Sequence, residues 1–222
     1  LQAAHARHPF IVSWDDHESA NDAWRDGAQN HDASEGEWSL RRRAAMQAYY
    51  EWMPIRDPRG DDPSANWRAF EIGDLATLVM LETRLSARSA QLDMPASAEA
   101  GTLADDLADP ARRLLSDRQR EFVAATLAGS REAGKPWQLF GNQVLMAQIT
   151  APNLAENLST AEIEALPGYV RPHVELTRLG VPLGADGWDG YAAERAWLLE
   201  HCGETEASPV VLSGDSHSAW AL

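Results

Sequence analysis

The sequence predicts one α/β domain in which strands and helices alternate around a layered core. Three observations carry that expectation. Short apolar, β-prone runs recur between helical segments; two of them, 67–72 and 75–81, flank a Gly-Asp turn that reads as a hairpin; and three of them end abruptly in polar clusters, at Asp15–Glu18, Gly141–Gln143 and Gly214–His217. Strands alternating with helices build layered α/β folds, and the strand ends of such folds converge on one edge, where ligands are held. With 222 residues, 44% of them apolar, the chain can bury one substantial core, so residues 1–222 are read as a single domain.

In chain order, His8 to Trp14 is apolar and β-prone and reads as a buried strand running into Asp15-Asp16-His17-Glu18. Residues 19–38 are polar and punctuated, hence a long loop. Ser39–Trp52 is rich in Ala, Arg and Met and stops before Pro54, which predicts a helix. A loop over 56–66 leads into the hairpin, whose second strand is closed by Glu82-Thr83-Arg84. Residues 86–115 lack a period and read as an inserted loop with at most a helical turn. Ser116 and Gln119 have capping-box spacing, predicting a helix that reaches Leu127 with Gly129 just beyond it. Trp137–Phe140 is a further strand candidate. Residues 150–187 are broken by Pro, Asn and Gly, with one short helix near Thr160–Leu166. Trp188–His201 is helical, with Trp188, Ala192, Arg195 and Leu199 at helical spacing, and Pro209–Ser213 is a last buried strand.

A formal net charge of -15 argues against a stable nucleic-acid partner, which calls for a basic face that neutralises phosphates. A phosphate-handling site in this chain therefore needs local cations, whether metal ions, arginines or both. The single cysteine, Cys202, excludes an internal disulfide and multi-cysteine zinc or iron–sulfur frameworks. No apolar run is long enough to span a bilayer, and no basic-then-apolar targeting pattern opens the sequence. Residue 1 is Leu, and Asp215–Leu222 runs on without a polar tail, so the expectation is a domain truncated at both ends.

Asp15, Asp16 and Glu18 crowd around His17, and such charges repel unless a cation or bulk water relieves them. A solvated acidic loop is the plain alternative. Asp215 and His217 are two apart, and after an extended strand alternate side chains point the same way, so both could reach one bimetal centre; the alternative is a turn cap and a surface imidazole. Carboxylate, imidazole and amide groups together suit calcium, iron, manganese or zinc. Arg41-Arg42-Arg43 opens a helix, where cations oppose the dipole, so one of them is a candidate bidentate phosphate clamp; a solvated face is the alternative. Trp14, Trp24, Trp38, Trp52, Trp67 and Trp137 are read mostly as core. There is no Gly-x-Ser-x-Gly elbow, no Walker loop and no catalytic context for Cys202, so covalent catalysis is not indicated.

Taken together, Phe10–Glu18, Ala48–Arg56, Leu81–Arg84, Phe140–Val144 and Leu212–His217 resemble, in order and spacing, the successive signatures of the PhoD-like alkaline phosphatase family, within the calcineurin-like metallophosphoesterases. The resemblance implies an α/β/β/α sandwich of two mixed sheets flanked by helices, incomplete in this chain. It implies hydrolysis of phosphate esters by a metal-activated water, on a small phosphate-ester substrate. It also implies iron and calcium, with other divalent metals as alternatives, and a monomeric protein that is periplasmic or secreted. Residue by residue, it makes Asp16, Asn21, Asp215 and His217 metal ligands, and His17 and Arg42 catalytic, with Arg41 or Arg43 as alternatives to Arg42. Asp15 and Asn142 become candidates for lining the site. The family's earliest motifs, which supply a bridging Asp, a Tyr and often a Cys to iron, are expected upstream of residue 1. Two other readings remain at this point: a phosphodiesterase or phospholipase D-like activity on lipid or nucleic-acid fragments, and a catalytically incomplete metal-binding remnant.

Overall fold

The computed structural model describes residues 2–221 apart from 57, 59, 183 and 220. Four strands, β1 (Arg68–Ile72), β2 (Ala76–Met80), β3 (Trp137–Asn142) and β4 (Pro209–Ser213), form one sheet in the order β1-β2-β3-β4. β1 and β2 are the expected antiparallel hairpin, turned by Gly73 in the left-handed region (φ 54°), which costs a glycine nothing sterically. β2 pairs with β3, and β3 with β4, in parallel. The helices are α1 (Gln2–His5), α2 (Trp38–Trp52), α3 (Met94–Ala100), α4 (Leu103–Ala108), α5 (Asp117–Glu132), α6 (Leu154–Asn157), α7 (Thr160–Ala165) and α8 (Ala192–Glu204). A mixed sheet flanked by helices is the layered α/β class that the sequence predicts, with one sheet among the described residues.

Strand alternation decides which face is covered. Val79, Phe140 and Val211 are register neighbours across β2, β3 and β4 and point to one side. There they meet Val123 and Leu127 of α5 and Leu198 and Cys202 of α8, together with Trp188 and Tyr191, in one buried cluster. Burying each large aliphatic of that set contributes about 1.5–3 kcal/mol. On the other side Ile72, Trp137, Val210 and Leu212 are exposed. A second cluster packs Met46 and Tyr49 of α2 against Trp14, Ala20, Ala23 and Ala28, and so anchors the loop that carries Asp15 and Asp16.

Several boundaries differ from expectation for physical reasons. Residues 8–14 form no strand: the run has no ladder partner, Phe10 and Ile11 are exposed, and the carbonyl of Val12 takes its hydrogen bond from the Arg68 guanidinium. Trp14 is buried in the core and Val12 packs against it only in part. β4 is an edge strand rather than a buried one, because among the described residues it pairs with β3 alone and only Val211 packs inward. The expected loop 86–115 holds α3 and α4; Asp93 caps α3 by accepting from the Ala96 amide, and Gly101 ends it at φ 73°. Ser116 does cap α5, but the Gln119 side chain turns to Glu82 instead of closing a capping box. That helix passes through Gly129 to Glu132. Residues 150–187 contain α6 as well as the expected short helix α7. A 3-10 turn over Trp188–Tyr191 precedes α8, whose buried residues are Glu194, Leu198 and Cys202, while Leu199 faces solvent. Residues 57 and 59 of the expected 56–66 loop lie outside the described residues, as does residue 220 near the C-terminus.

Gly190 is required by close approach. A Cβ at Gly190 would lie 2.1 Å from the backbone oxygen of Ala185, which cannot swing away as a side-chain tip could. Gly190→Ala is therefore expected to lower stability by about 1–3 kcal/mol, as overpacking does, measured by chemical denaturation.

Candidate metal centre

Three chain segments meet beyond the C-terminal ends of the parallel strands. Asp15 and Asp16 follow the anchored Trp14, Thr83 and Arg84 follow β2, and Asp215 follows β4. Carboxylate oxygens of Asp15, Asp16 and Asp215 lie within 4.8 Å of one another. Asp16 sits at the head of a tight turn, its carbonyl accepting from the Ser19 and Ala20 amides and its Oδ2 from the Asp22 amide at 2.6 Å. Its Oδ1 is buried and has no hydrogen-bond partner among the described residues; Arg84 Nη2 is 3.8 Å away, too far for a hydrogen bond.

Arg84 is the hub. It is fully buried, and Nε donates to Asp15 Oδ1 at 2.7 Å, Nη1 to Asp186 Oδ1 at 2.8 Å and Nη2 to Asp215 Oδ1 at 3.1 Å. Arg88, also fully buried, donates to the same Asp186 carboxylate at 2.5 Å. Four carboxylates (Asp15, Asp16, Asp186, Asp215) thus share two guanidinium groups, and acid remains in excess. Charge of this density in a partly dry site draws a cation.

The titration behaviour follows from that imbalance. Burial raises the Asp215 carboxyl, repulsion from Asp186 and Asp15 adds to it, and Arg84 only partly offsets them, leaving it at about 7. Burial likewise raises Asp15 against the pull of Arg84. Burial would raise Asp186 too, but Arg88 and Arg84 together hold it below the ordinary range. Arg84 moves further above its already high value, because Asp186, Asp15 and Asp16 outweigh its burial. For Asp215 the folded chain holds a proton that the unfolded chain has lost between its ordinary 3.8 and about 7, so its contribution to stability declines as pH rises through that window. A cation bound there must displace the same proton. Affinity of this acidic group for a divalent cation is expected to rise as pH climbs through about 7, with proton release on binding, checked by calorimetric titration in buffers of different ionisation enthalpy.

Of the residues singled out from the sequence, the structure brings together Asp15, Asp16 and Asp215. His17 is exposed, its Nε2 3.9 Å from Asp16 Oδ2. The Asn21 side chain hydrogen-bonds Gln29. Asn142 is buried, donating to Val144 O and Ser213 Oγ and accepting from the Trp188 indole. His217 does not join the acidic group. The backbone is not extended there: Asp215 and His217 both occupy the left-handed region (φ 66° and 51°), so alternate side chains do not share a direction and His217 turns to solvent. Arg41 is engaged with Ser19 O, His31 and Glu35, whereas the buried Nε of Arg42 has no partner among the described residues, and Arg43 is exposed. Sequence reasoning missed Arg84 and Asp186. Arg84 carried a usable signal, since Glu82-Thr83-Arg84 follows a fully buried strand just as the other clusters do. Asp186 carried none.

A family model described as "PhoD-like phosphatase" matches residues 1–222. The chain is 32% identical to alkaline phosphatase D of Bacillus subtilis (strain 168) over 225 residues, covering 100% of this chain and 33% of that protein. A solved structure described as "Structure of PhoD" superposes with a TM-score of 0.72 at 28% identity, over 97% of this chain and 36% of the other. The chain thus spans about a third of the length of the relatives it matches.

Proposed function

This chain belongs to the PhoD-like phosphatase family, and on that premise we propose that it carries part of the metal site of a phosphoric ester hydrolase acting on small phosphate esters. The observation that carries the reading is the buried Oδ1 of Asp16, which has no hydrogen-bond partner among the described residues and faces an excess of carboxylate. An orphaned charged oxygen is costly in a dry site, and a cation would relieve it. Asp15, Asp16 and Asp215 offer an all-oxygen set, which fits a hard ion such as calcium. Iron, the second metal in this proposal, accepts mixed oxygen, nitrogen and sulfur donors, and its other ligands are assigned by likeness to the family rather than by the acidic group. Asn21, on the turn after Asp16, and His217, on the turn after Asp215, are further ligands by the same likeness.

When bound, the cations supply Lewis-acid polarisation of the phosphoryl oxygens and a water acidified for attack. Asp15, Asp16 and Asp215 orient them; Arg84 keeps the carboxylates from repelling one another. The exposed His17, beside Asp16, can hand a proton to the leaving oxygen. By the same likeness Arg42, whose Nε has no hydrogen-bond partner among the described residues, is proposed as the clamp for phosphate oxygens, and Asn142 as a residue lining the site. The protein is proposed to act as a periplasmic or secreted monomer; no described helix is long and apolar enough to cross a membrane.

Phosphate release from mono- and diesters sharing one leaving group, by a protein of the relatives' full length supplied with iron and calcium, tests the proposal. Asp215→Asn is expected to lower turnover by about 100-fold or more, as loss of a metal ligand does. Wild-type turnover in that variant sinks the assignment.

A further inference from the structure

Gln143 follows β3 and contributes no atom to the acidic group, yet it touches all three segments that build it. Its Oε1 accepts from the Thr83 amide at 3.1 Å and from the Thr83 hydroxyl at 2.9 Å. Its Nε2 donates to Ser13 Oγ at 3.0 Å. Its backbone oxygen accepts from the Gly214 amide at 3.1 Å. Ser13 is two residues before Asp15, Thr83 immediately precedes Arg84, and Gly214 immediately precedes Asp215. The orientation of the amide is fixed by chemistry, because a backbone N–H can only donate and therefore demands the oxygen at Thr83. The side chain is 5% exposed, so these bonds are made in a site where leaving them unmade is costly.

We infer that Gln143 is a positioning residue: its buried side-chain amide ties the Asp15–Asp16 segment to the Thr83–Arg84 segment, its backbone oxygen holds Gly214 ahead of Asp215, and this registration tunes the affinity of the site for its cation. Between strands, the sheet ladder fixes β2, β3 and β4 only up to Met80, Asn142 and Ser213, while residues 8–14 have no ladder at all. The Ser13 bond is thus the link that ties the unladdered segment to the end of β3. Shells of this kind orient metal ligands without touching the metal, and removing one member typically lowers metal affinity about 10–100-fold.

The inference rests on the metal reading for its affinity consequence, but its geometric content can be tested separately. Gln143→Met keeps the volume and removes every side-chain bond. The expected result is a folded chain whose amide hydrogen exchange accelerates together in 13–17 and 82–86, while 213–217, still held by the Gln143 backbone oxygen, and α5 and α8 stay protected, with calcium affinity reduced about tenfold or more. Ser13→Ala and Thr83→Val, which remove one strut each, are expected to give smaller losses. Unchanged exchange in 13–17 and 82–86, or acceleration in one of them alone, overturns the inference. So does a Gln143→Met chain that fails to fold while both single-strut variants keep wild-type exchange and affinity. If the unaltered chain binds no calcium, the metal reading fails, and the exchange pattern still decides whether the Gln143 amide registers the 13–17 and 82–86 segments.

Discussion

Replacing Arg84 with methionine is expected to destabilise the folded chain by about 3–5 kcal/mol near pH 8, the cost of breaking a buried ion pair by removing one partner. The substitution nearly conserves volume, so the loss reports charge rather than packing. Without the guanidinium, Asp15, Asp186 and Asp215 lose hydrogen bonds of 2.7, 2.8 and 3.1 Å, and Asp16 loses its nearest cation at 3.8 Å. Carboxyls left in that state take up protons more readily when folded than when unfolded, so the deficit is present at high pH and shrinks as pH falls toward about 5. Urea unfolding at both pH values checks this. A loss below about 1 kcal/mol, typical of exposed pairs, or one of equal size at both pH values, counts against the buried-hub account. Arg84→Lys is not a safe substitute, because a point charge cannot serve three carboxylates in different directions.

Glu82→Ala is expected to have the second large effect. The Glu82 carboxylate is fully buried and accepts from the Trp14 indole at 2.9 Å and from the amides of Arg84, Leu85 and Ser86 at 2.9, 2.8 and 2.7 Å. Truncation leaves four donors without an acceptor, each worth about 1–3 kcal/mol when buried and unpaired. The chain is then expected to lose more than about 4 kcal/mol, or not to fold. Glu82→Gln retains one acceptor oxygen and should fall between wild type and Ala. Equal stability of the Gln and Ala variants in a denaturant series would mean that the carboxylate oxygens do not hold this turn.

Much of this architecture is legible in the sequence because it is local. The Gly-Asp turn between two β-prone runs gives the hairpin, and Ser116 gives the start of α5. The acidic clusters at Asp15–Asp16 and Asp215 are legible for the same reason: an apolar run that stops in carboxylates marks a polar edge, whether or not the run is a strand. What escaped depends on distant partners. Residues 8–14 look like a strand but find no ladder, and Val210 and Leu212 look buried but sit on an uncovered face. Asp186 becomes part of the site only because Arg84 and Arg88, 102 and 98 residues away in sequence, reach it. His217 shares a motif with Asp215 but not a direction, since the left-handed backbone between them breaks the alternation that an extended strand would impose. Positive φ at a histidine and an aspartate was not readable from spacing.

Calorimetric titration of calcium into this chain near pH 8, repeated with Asp16→Asn, tests the metal centre most directly, because Asp16 supplies the buried oxygen that lacks a partner. Saturable binding that weakens about tenfold or more in Asp16→Asn is the predicted result. Binding of equal strength in both, or none in the unaltered chain, contradicts it.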